Sequence, residues 1–191
     1  HPNGTEYPVV IGVHPAYVLC NRGEAFLLDK ALQVAIRTEK GDAMPDIPMD
    51  IVDLTENPLH PDLLKRLNDP RATFVFDVET TGLRVFDGDP PHIISIAFMD
   101  VEDSRKVYFV LWRHSTGGAW SRPHGRVIVE ALKKSKCGWI GHNAKFDCMW
   151  TIFQWDWRPR LVYDTMIAHS LVEESGSGLK KIAWKLTQYG G

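Results

Sequence analysis

The sequence predicts an α/β fold: a mixed β-sheet flanked by helices, preceded by a short βα appendage. Three observations support this prediction. Residues 74–76 (Phe-Val-Phe) form an apolar, β-prone run that is typical of a central strand covered on both faces. Two further strand-like runs, 93–100 and 106–112, follow without an intervening helical pattern. The rest of the chain has helical periodicity, interrupted by one more short strand, 138–142.

The order of these elements predicts how the strands pair. Three consecutive strands indicate an antiparallel meander, and a strand reached through a helix should lie parallel to the first strand. This order is ribonuclease H-like. The predicted strands are 73–79, 93–100, 106–112 and 138–142, and the predicted helices are 125–135, 144–154, 165–173 and 178–188.

The chain is expected to divide into three parts. Residues 1–40 predict a βα appendage, and residues 41–70, which are acidic and interrupted by prolines, predict a linker with one short helix. Residues 71–191 are the expected main domain. The elements predicted before that domain are a strand from Pro8 to Val13 and helices from Glu24 to Thr38 and from His60 to Asn68.

Composition restricts the class of protein. The 191 residues have a hydrophobic content of 44% and a net charge of −2, which suits one ordinary domain and excludes a strongly basic, histone-like DNA binder. Residues 1–70 carry 6 basic and 11 acidic side chains, whereas the remaining residues carry 16 and 13. A mildly basic C-terminal part with an acidic pocket is compatible with a polyanion that is held through metal ions.

Cysteine usage and hydropathy predict the compartment. Cys20, Cys137 and Cys148 lack the spacing of a disulfide framework or a zinc site, which favours a reducing environment. No apolar run approaches the ~18 residues that a membrane span requires, and no signal-peptide pattern opens the chain. We therefore expect a soluble, cytoplasmic protein with no membrane partner.

Three acidic side chains are predicted to converge at one edge of the sheet. Because side chains alternate along a strand, Asp77 and Glu79 project to the same face, and at roughly 6.6 Å apart they repel by about 2.5 kcal/mol at an effective dielectric of 20. Asp147, in the first turn after strand 138–142, can face Asp77. The carboxyl ends of strands are where α/β sheets bind ligands, and carboxylates suit Mg²⁺ or Mn²⁺. Two such ions can promote phosphodiester hydrolysis.

Two segments resemble the motifs of DEDD-type 3′–5′ exonucleases. Residues 76–83 (FDVETTGL) are similar to the first motif, and residues 141–147 (GHNAKFD) are similar to the second. Downstream, residues 164–166 (DTM) and 177–183 (SGLKKIA) resemble the proofreading domain of A-family DNA polymerases, notably those of phages.

The resemblance implies a function and roles for individual residues. It implies a proofreading module that hydrolyses the 3′-terminal phosphodiester of single-stranded DNA, with a polymerase domain downstream in cis, in the host-cell cytoplasm if the source is viral. Asp77 would bridge two Mg²⁺ or Mn²⁺ ions, Glu79 would hold the ion on the side of the nucleophile, and Asp147 would bind the other. The residues implied to contact the terminal nucleotide are Thr80, Leu83 and Asn143.

One part of the family pattern is missing. The third motif supplies a fourth Asp, preceded by a Tyr four residues earlier or a His five residues earlier, and no such pair remains once Asp147 is assigned to the second motif. We expect this carboxylate to lie further along a longer polypeptide, or the site to be crippled, so that this piece trims DNA weakly or not at all. Asp164 is a possible spare carboxylate, although Asp-Thr before a helix favours an N-cap.

Alternatives to these assignments remain open. The chain can instead be a standalone epsilon-type or ribonuclease D-like nuclease acting on RNA, a choice that depends on the 2′-OH, or a non-catalytic DNA-binding spacer. Asn143 can fix its turn rather than contact substrate, and Lys145 is expected to be exposed. Four tryptophans are expected to be core residues rather than base-stacking platforms: Trp139, Trp150, Trp155 and Trp157.

The opening segment carries a second resemblance. Residues 7–19, followed by an amphipathic helix, are similar to the C-terminal end of family-4 uracil-DNA glycosylases, in which His14 would match a residue that contacts a flipped base. The water-activating motif and the iron–sulfur cysteines of that family are absent from the sequence. We therefore interpret residues 1–40 as the remnant of a fused domain, with His14 in a structural role.

Overall fold

The computed structural model describes residues 14–22, 25–41, 49–57, 59–85, 91–173 and 178–187. The chain forms two compact units. One comprises residues 48–168, and the other comprises residues 1–47 together with 169–191. The strands are β1 (Asp50–Asp53), β2 (Thr73–Thr80), β3 (Ile93–Asp100), β4 (Lys106–Leu111), β5 (Gly138–Gly141) and β6 (Leu161–Asp164). The helices are α1 (Pro15–Cys20), α2 (Ala25–Glu39), α3 (Pro61–Leu67), α4 (Pro123–Lys133), α5 (Ala144–Trp155), α6 (Thr165–Val172) and α7 (Leu179–Leu186).

The unit of residues 48–168 is built on one mixed sheet with the strand order β1-β4-β3-β2-β5-β6. Strands β2, β3 and β4 form an antiparallel meander, and β5, which is reached through α4, lies parallel to β2. The remaining neighbours, β1 with β4 and β5 with β6, are also parallel. The predicted α/β fold class, with its meander and parallel return, is confirmed.

Both edge strands were missed by the sequence analysis. Strand β1 pairs with β4 from Asp50, opposite Lys106, to Asp53, opposite Phe109. It lies within the stretch predicted to be a linker, so the described residues of that stretch from 49 onward belong to the sheet-containing unit instead. Strand β6 is exposed over its first three residues. Four-residue edge strands form by hydrogen bonding to one neighbour and need no apolar alternation, which is why the pattern did not reveal them.

An aromatic cluster holds β2 in place. Trp139 of β5 lies 5.5 Å, between ring centroids, from both Phe74 and Phe76 of β2, and 5.0 Å from Trp157. These tilted and edge-to-face arrangements are the favoured geometries of aromatic pairs. The tryptophans predicted to be core residues are all buried: Trp139, Trp150, Trp155 and Trp157. The carboxyl end of β2 therefore projects from a closely packed core.

A partly buried ion pair fixes the opposite end of the sheet. The guanidinium of Arg66 on α3 donates two hydrogen bonds to Asp100 at the end of β3, at 2.6 and 2.9 Å. Asp100 is buried, and paired bonds of this kind between Arg and a carboxylate are strong and directional. Asp100 lies opposite Phe74, so α3 is anchored at the end of the sheet remote from Asp77 and Glu79.

The second unit contains α1, α2 and α7. The bounds of α2 confirm the predicted helix from Glu24 to Thr38, whereas the predicted strand from Pro8 to Val13 lies outside the described residues. Helix α1 was not predicted; the Nδ1 atom of His14 accepts a hydrogen bond from the N–H of Ala16 at 3.1 Å and caps it. This contact agrees with the structural role inferred for His14.

Two further observations concern the cysteines and the helices. None of the three cysteines, all of which the structure describes, forms a disulfide. Within the described ranges, no helix combines the length and the apolar character that crossing a membrane requires.

Candidate active site

The carboxyl end of β2 presents two acidic side chains on one face. Phe74, Phe76 and Val78 are buried, whereas Asp77 and Glu79 are exposed. This is the alternation that the sequence predicted. Their backbone neighbours on β3 are Ala97 and Ser95, which are small and leave the space beside the two carboxylates open. Two negative charges are thus adjacent at the end of a rigid central strand.

Asp147 reaches the same strand from α5. Because β5 runs parallel to β2, the helix that follows β5 begins at the edge of the sheet where β2 ends. The Oδ1 atom of Asp147 accepts a hydrogen bond from the backbone N–H of Val78 at 3.0 Å, and only 3% of Asp147 is exposed. Val78 is the residue between Asp77 and Glu79, so the structure places Asp147 against the end of β2 that carries the other two predicted acids.

Electrostatics disfavours ionisation of two of these carboxyl groups, those of Asp147 and Asp77. Burial raises the pKa of Asp147 to about 6; the negative charges of Asp77 and Asp164 contribute to the rise, and the N–H of Val78 opposes it. The pKa of Asp77 is also raised, first by partial loss of solvent and then by the charge of Glu79. A bound cation would reverse these unfavourable interactions.

The donor set fits a hard divalent cation. Asp77, Glu79 and Asp147 offer carboxylate oxygens, the ligands that Mg²⁺ and Mn²⁺ prefer, and the open side of β2 leaves room for water and substrate oxygens. Among the described residues, no group of three or more His, Cys, Asp and Glu side chains is placed so that together they could hold a metal ion. The protein offers oxygen ligands on one side only, as expected where water and substrate complete the coordination of the metal.

The carboxylate of Asp164 accepts hydrogen bonds from backbone N–H groups. Its Oδ1 accepts hydrogen bonds from the N–H groups of Asn143, Met166 and Ile167, and its Oδ2 accepts one from Ala144 at 2.8 Å. Burial raises its pKa, but these four donors outweigh burial and leave the pKa below its ordinary value. Four donors match the roughly four acceptor positions of a carboxylate. The predicted N-cap of α6 is confirmed, and this saturation argues against Asp164 as the fourth metal ligand.

The turn between β5 and α5 depends on backbone geometry. Asn143 has φ 58° and ψ 40°, a left-handed conformation that Asn tolerates better than most residues, and its exposed side chain makes no capping hydrogen bond. A Cβ on Gly141 would lie 2.7 Å from the Cβ of Ala144. The N–H of Asn143, bonded to Asp164, holds the turn, and the amide side chain is exposed to solvent.

The segment after β2 carries the other predicted substrate residues. The hydroxyl of Thr80 donates to the carbonyl of Gly82 at 2.7 Å and so shapes the turn. Leu83 is 84% exposed, which leaves its side chain accessible to a base. Lys145 is exposed, as expected. The substrate contacts of Thr80, Leu83 and Asn143 remain predictions.

His142 is a site residue that the sequence analysis did not single out. Its Nδ1 lies 2.9 Å from the hydroxyl of Thr165, and its charge in the protonated state lowers the pKa of Asp77. The available signal was its place directly after β5, beside the turn that carries Asn143. This residue introduces a basic group next to the acidic one.

Comparisons with known proteins concern both sequence and fold. A family model described as 3′–5′ exonuclease matches residues 54–190. No curated protein gives a significant sequence match. Among solved structures, Brucella melitensis NrnC bound to pGG is similar with a TM-score of 0.50 and 19% identity, over 74% of this chain and 61% of that one.

Two other structures are similar at slightly lower scores. Brucella melitensis NrnC with bound Mg²⁺ has a TM-score of 0.49 and 20% identity, over 71% of this chain and 59% of that one. A structure described as the apo form of the nuclease has a TM-score of 0.47 and 14% identity, over 76% of this chain and 69% of that one. The chain therefore spans about 59–61% of the length of these NrnC structures.

The levels of identity limit these structural likenesses to the fold, whereas the family model covers more than half of the chain and includes both acidic segments. On this ground, the chain belongs to the 3′–5′ exonuclease family.

Proposed function

We propose that this chain removes the 3′-terminal nucleotide of single-stranded nucleic acid, with divalent metal ions held by Asp77, Glu79 and Asp147. The observation that carries this proposal is the hydrogen bond of Asp147 to the N–H of Val78, at 3.0 Å, which holds the third acid against the strand that carries the other two. Family membership supplies the class of reaction.

Each residue has a distinct task in this proposal. Asp77 and Glu79 offer oxygens from a rigid strand, and Asp147 offers its second oxygen, since Oδ1 is held by Val78. Divalent ions bound there supply charge neutralisation at phosphate oxygens and a more acidic water. Leu83 contacts the terminal base, and Asn143 contributes a polar contact to the same nucleotide.

The finer proposal is a proofreading module of an A-family, phage-type DNA polymerase, with the polymerase domain in the same polypeptide. It is supported by the motif resemblance that continues beyond the acids, at residues 164–166 and 177–183. The alternative is a standalone nuclease acting on RNA. The neighbour bound to pGG shares the fold, and at 19% identity it does not decide between the two substrates.

The test compares matched DNA and RNA single strands, labelled at the 5′ end, with Mg²⁺, with Mn²⁺ and with EDTA. The proposal predicts metal-dependent shortening from the 3′ end, lost in Asp77→Asn and in Glu79→Gln. The control is Glu102→Gln, because Glu102 is 74% exposed and follows β3 at the opposite edge of the sheet. Preference for DNA supports the proofreading assignment, and preference for RNA replaces it with the alternative.

If this piece hydrolyses nucleic acid too slowly to measure, metal binding tests the proposal instead. The protein should bind Mn²⁺, and Asp77→Asn should abolish that binding. Equal Mn²⁺ binding by the wild type and by Asp77→Asn would contradict the proposal, whatever the rate of hydrolysis.

A further inference from the structure

A basic and aromatic surface, here called the Trp120 patch, comprises Arg113, Trp120 and Arg126. The guanidinium carbon of Arg113 lies 5.0 Å from the centroid of the Trp120 ring, and half of Trp120 is exposed. Trp120 and Arg126 line the same open depression, of about 480 Å³. A half-exposed Trp beneath a guanidinium presents an aromatic face and positive charge at one place.

The Trp120 patch lies at the same end of the strands as the acids. In the register of the three antiparallel strands, Leu111 on β4 pairs with Ser95 on β3, which pairs with Glu79 on β2. Two strand spacings, about 10 Å, thus separate the end of β4 from Glu79. The chain continues from Leu111 to Arg113, and the N–H of Trp120 returns to the carbonyl of Trp112 at 3.2 Å.

The position of Trp120 is fixed by tight packing of the turn that carries it. A Cβ on Gly118 would lie 2.1 Å from the carbonyl oxygen of Trp112, and a Cβ on Gly125 would lie 1.9 Å from that of Ala119. Ala119 is fully buried. The turn is therefore anchored on both sides while Trp120 faces outward, an arrangement that packing alone does not require.

Within the described residues, the positive charges of the Trp120 patch have no carboxylate partner. Arg122, which lines the same depression, is paired with Glu56 at 2.5 Å. Arg113 and Arg126, by contrast, form no ion pair with any residue in the described ranges. Two guanidinium groups without a carboxylate partner, beside an exposed indole, are the combination that binds phosphates and stacks bases in single-strand-binding proteins.

We propose that the Trp120 patch binds the single strand upstream of its 3′ end, with a base stacked on Trp120 and phosphates held by Arg113 and Arg126. This inference rests on the proposed function, because it assigns the patch to the substrate of the acidic site. The patch supplies affinity that does not depend on metal ions, and it gives the enzyme a preference for strands long enough to reach from the acids to β4.

The test measures binding of a labelled single strand of about ten nucleotides by fluorescence anisotropy in EDTA, where no hydrolysis occurs. Trp120→Ala should weaken binding by about 5-fold or more, the usual cost of losing one stacked base. Trp120→Phe should keep most of the affinity. Arg113→Ala and Arg126→Ala should each reduce the slope of log affinity against log salt by about 0.7, as expected for one lost phosphate contact with a single strand.

Arg71→Ala is the matched control. Arg71 is 90% exposed and lies just before β2, at the end of the strands opposite to the acids. Its removal should therefore leave both the affinity and the salt slope unchanged. The expected preference of the wild type for the longer strand over a dinucleotide should disappear in Trp120→Ala. Binding of the longer strand by Trp120→Ala and Arg113→Ala within twofold of the wild type would overturn the inference.

A Mn²⁺ titration of the same proteins separates this inference from the proposed function. Trp120→Ala should bind Mn²⁺ like the wild type. If the wild type binds Mn²⁺ at the acids but holds the longer strand no better than a dinucleotide, the proposed function stands and the Trp120 patch is refuted. If Mn²⁺ does not bind but strand binding depends on Trp120, the proposed function fails, and with it the link of the Trp120 patch to the acids, while the patch remains a surface that binds single strands.

Discussion

Replacing Asp147 with Asn is predicted to stabilise the metal-free protein at neutral pH and to remove its capacity for metal. Burial raises the pKa of Asp147 to about 6 from an ordinary value of 3.8. The folded protein therefore binds this proton more tightly than the unfolded chain does. The free energy of unfolding of the wild type falls as the pH rises from about 4 to about 6, and above that range the whole loss is present.

The magnitude follows from the size of that difference in pKa. At 1.36 kcal/mol for each pH unit, a rise from 3.8 to about 6 corresponds to roughly 3 kcal/mol. Asn keeps the shape of the side chain, and its carbonyl oxygen can still accept the hydrogen bond from the N–H of Val78. We therefore expect Asp147→Asn to gain about 1–3 kcal/mol at neutral pH, or about 2–4 °C in Tm for each kcal/mol.

Thermal unfolding in EDTA at about pH 4 and about pH 7.5 measures this effect. The Tm of Asp147→Asn should exceed that of the wild type at the higher pH and approach it at the lower one. Asp62→Asn, at a position with an 88% exposed side chain, is the control and should show no such dependence. A wild type at least as stable as Asp147→Asn at pH 7.5 would refute the electrostatic reasoning.

Three further changes test the parts of the site. Gly141→Ala should destabilise the protein by about 1–3 kcal/mol in urea unfolding, because the new Cβ would overlap that of Ala144; a change below about 0.5 kcal/mol contradicts this packing. Asp164→Ala should lower the free energy of unfolding by about 2–4 kcal/mol, more than Asp164→Asn, because it deprives backbone N–H groups of their acceptor. An equal loss in both variants would contradict the role of Asp164 as the cap of both α5 and α6. Leu83→Ala should leave Tm unchanged but slow 3′ trimming; unchanged trimming removes Leu83 from the substrate contacts.

The local patterns along β2 were sufficient to predict the centre of the fold and of the site. Alternation placed Asp77 and Glu79 together because a strand imposes a period of two on its side chains. The buried positions of Trp139 and Trp157 likewise followed from their apolar surroundings. The match of residues 54–190 to the exonuclease family agrees with the motif resemblance.

The features that were missed depend on contacts between distant parts of the chain. Strand β1 exists because β4 offers hydrogen bonds, which no pattern within residues 50–53 reveals. Asp164 was recognised as the cap of α6, but its second task at the start of α5 required the pairing of β5 with β6. The Trp120 patch likewise depends on the register that aligns Leu111 with Glu79.

The most direct test of the central claim is a calorimetric titration of the metal-free protein with Mn²⁺. The account predicts binding by the wild type and by Glu102→Gln, and loss of binding in Asp77→Asn and in Asp147→Asn. Undiminished binding by Asp77→Asn would show that the acids at the end of β2 do not form the metal site.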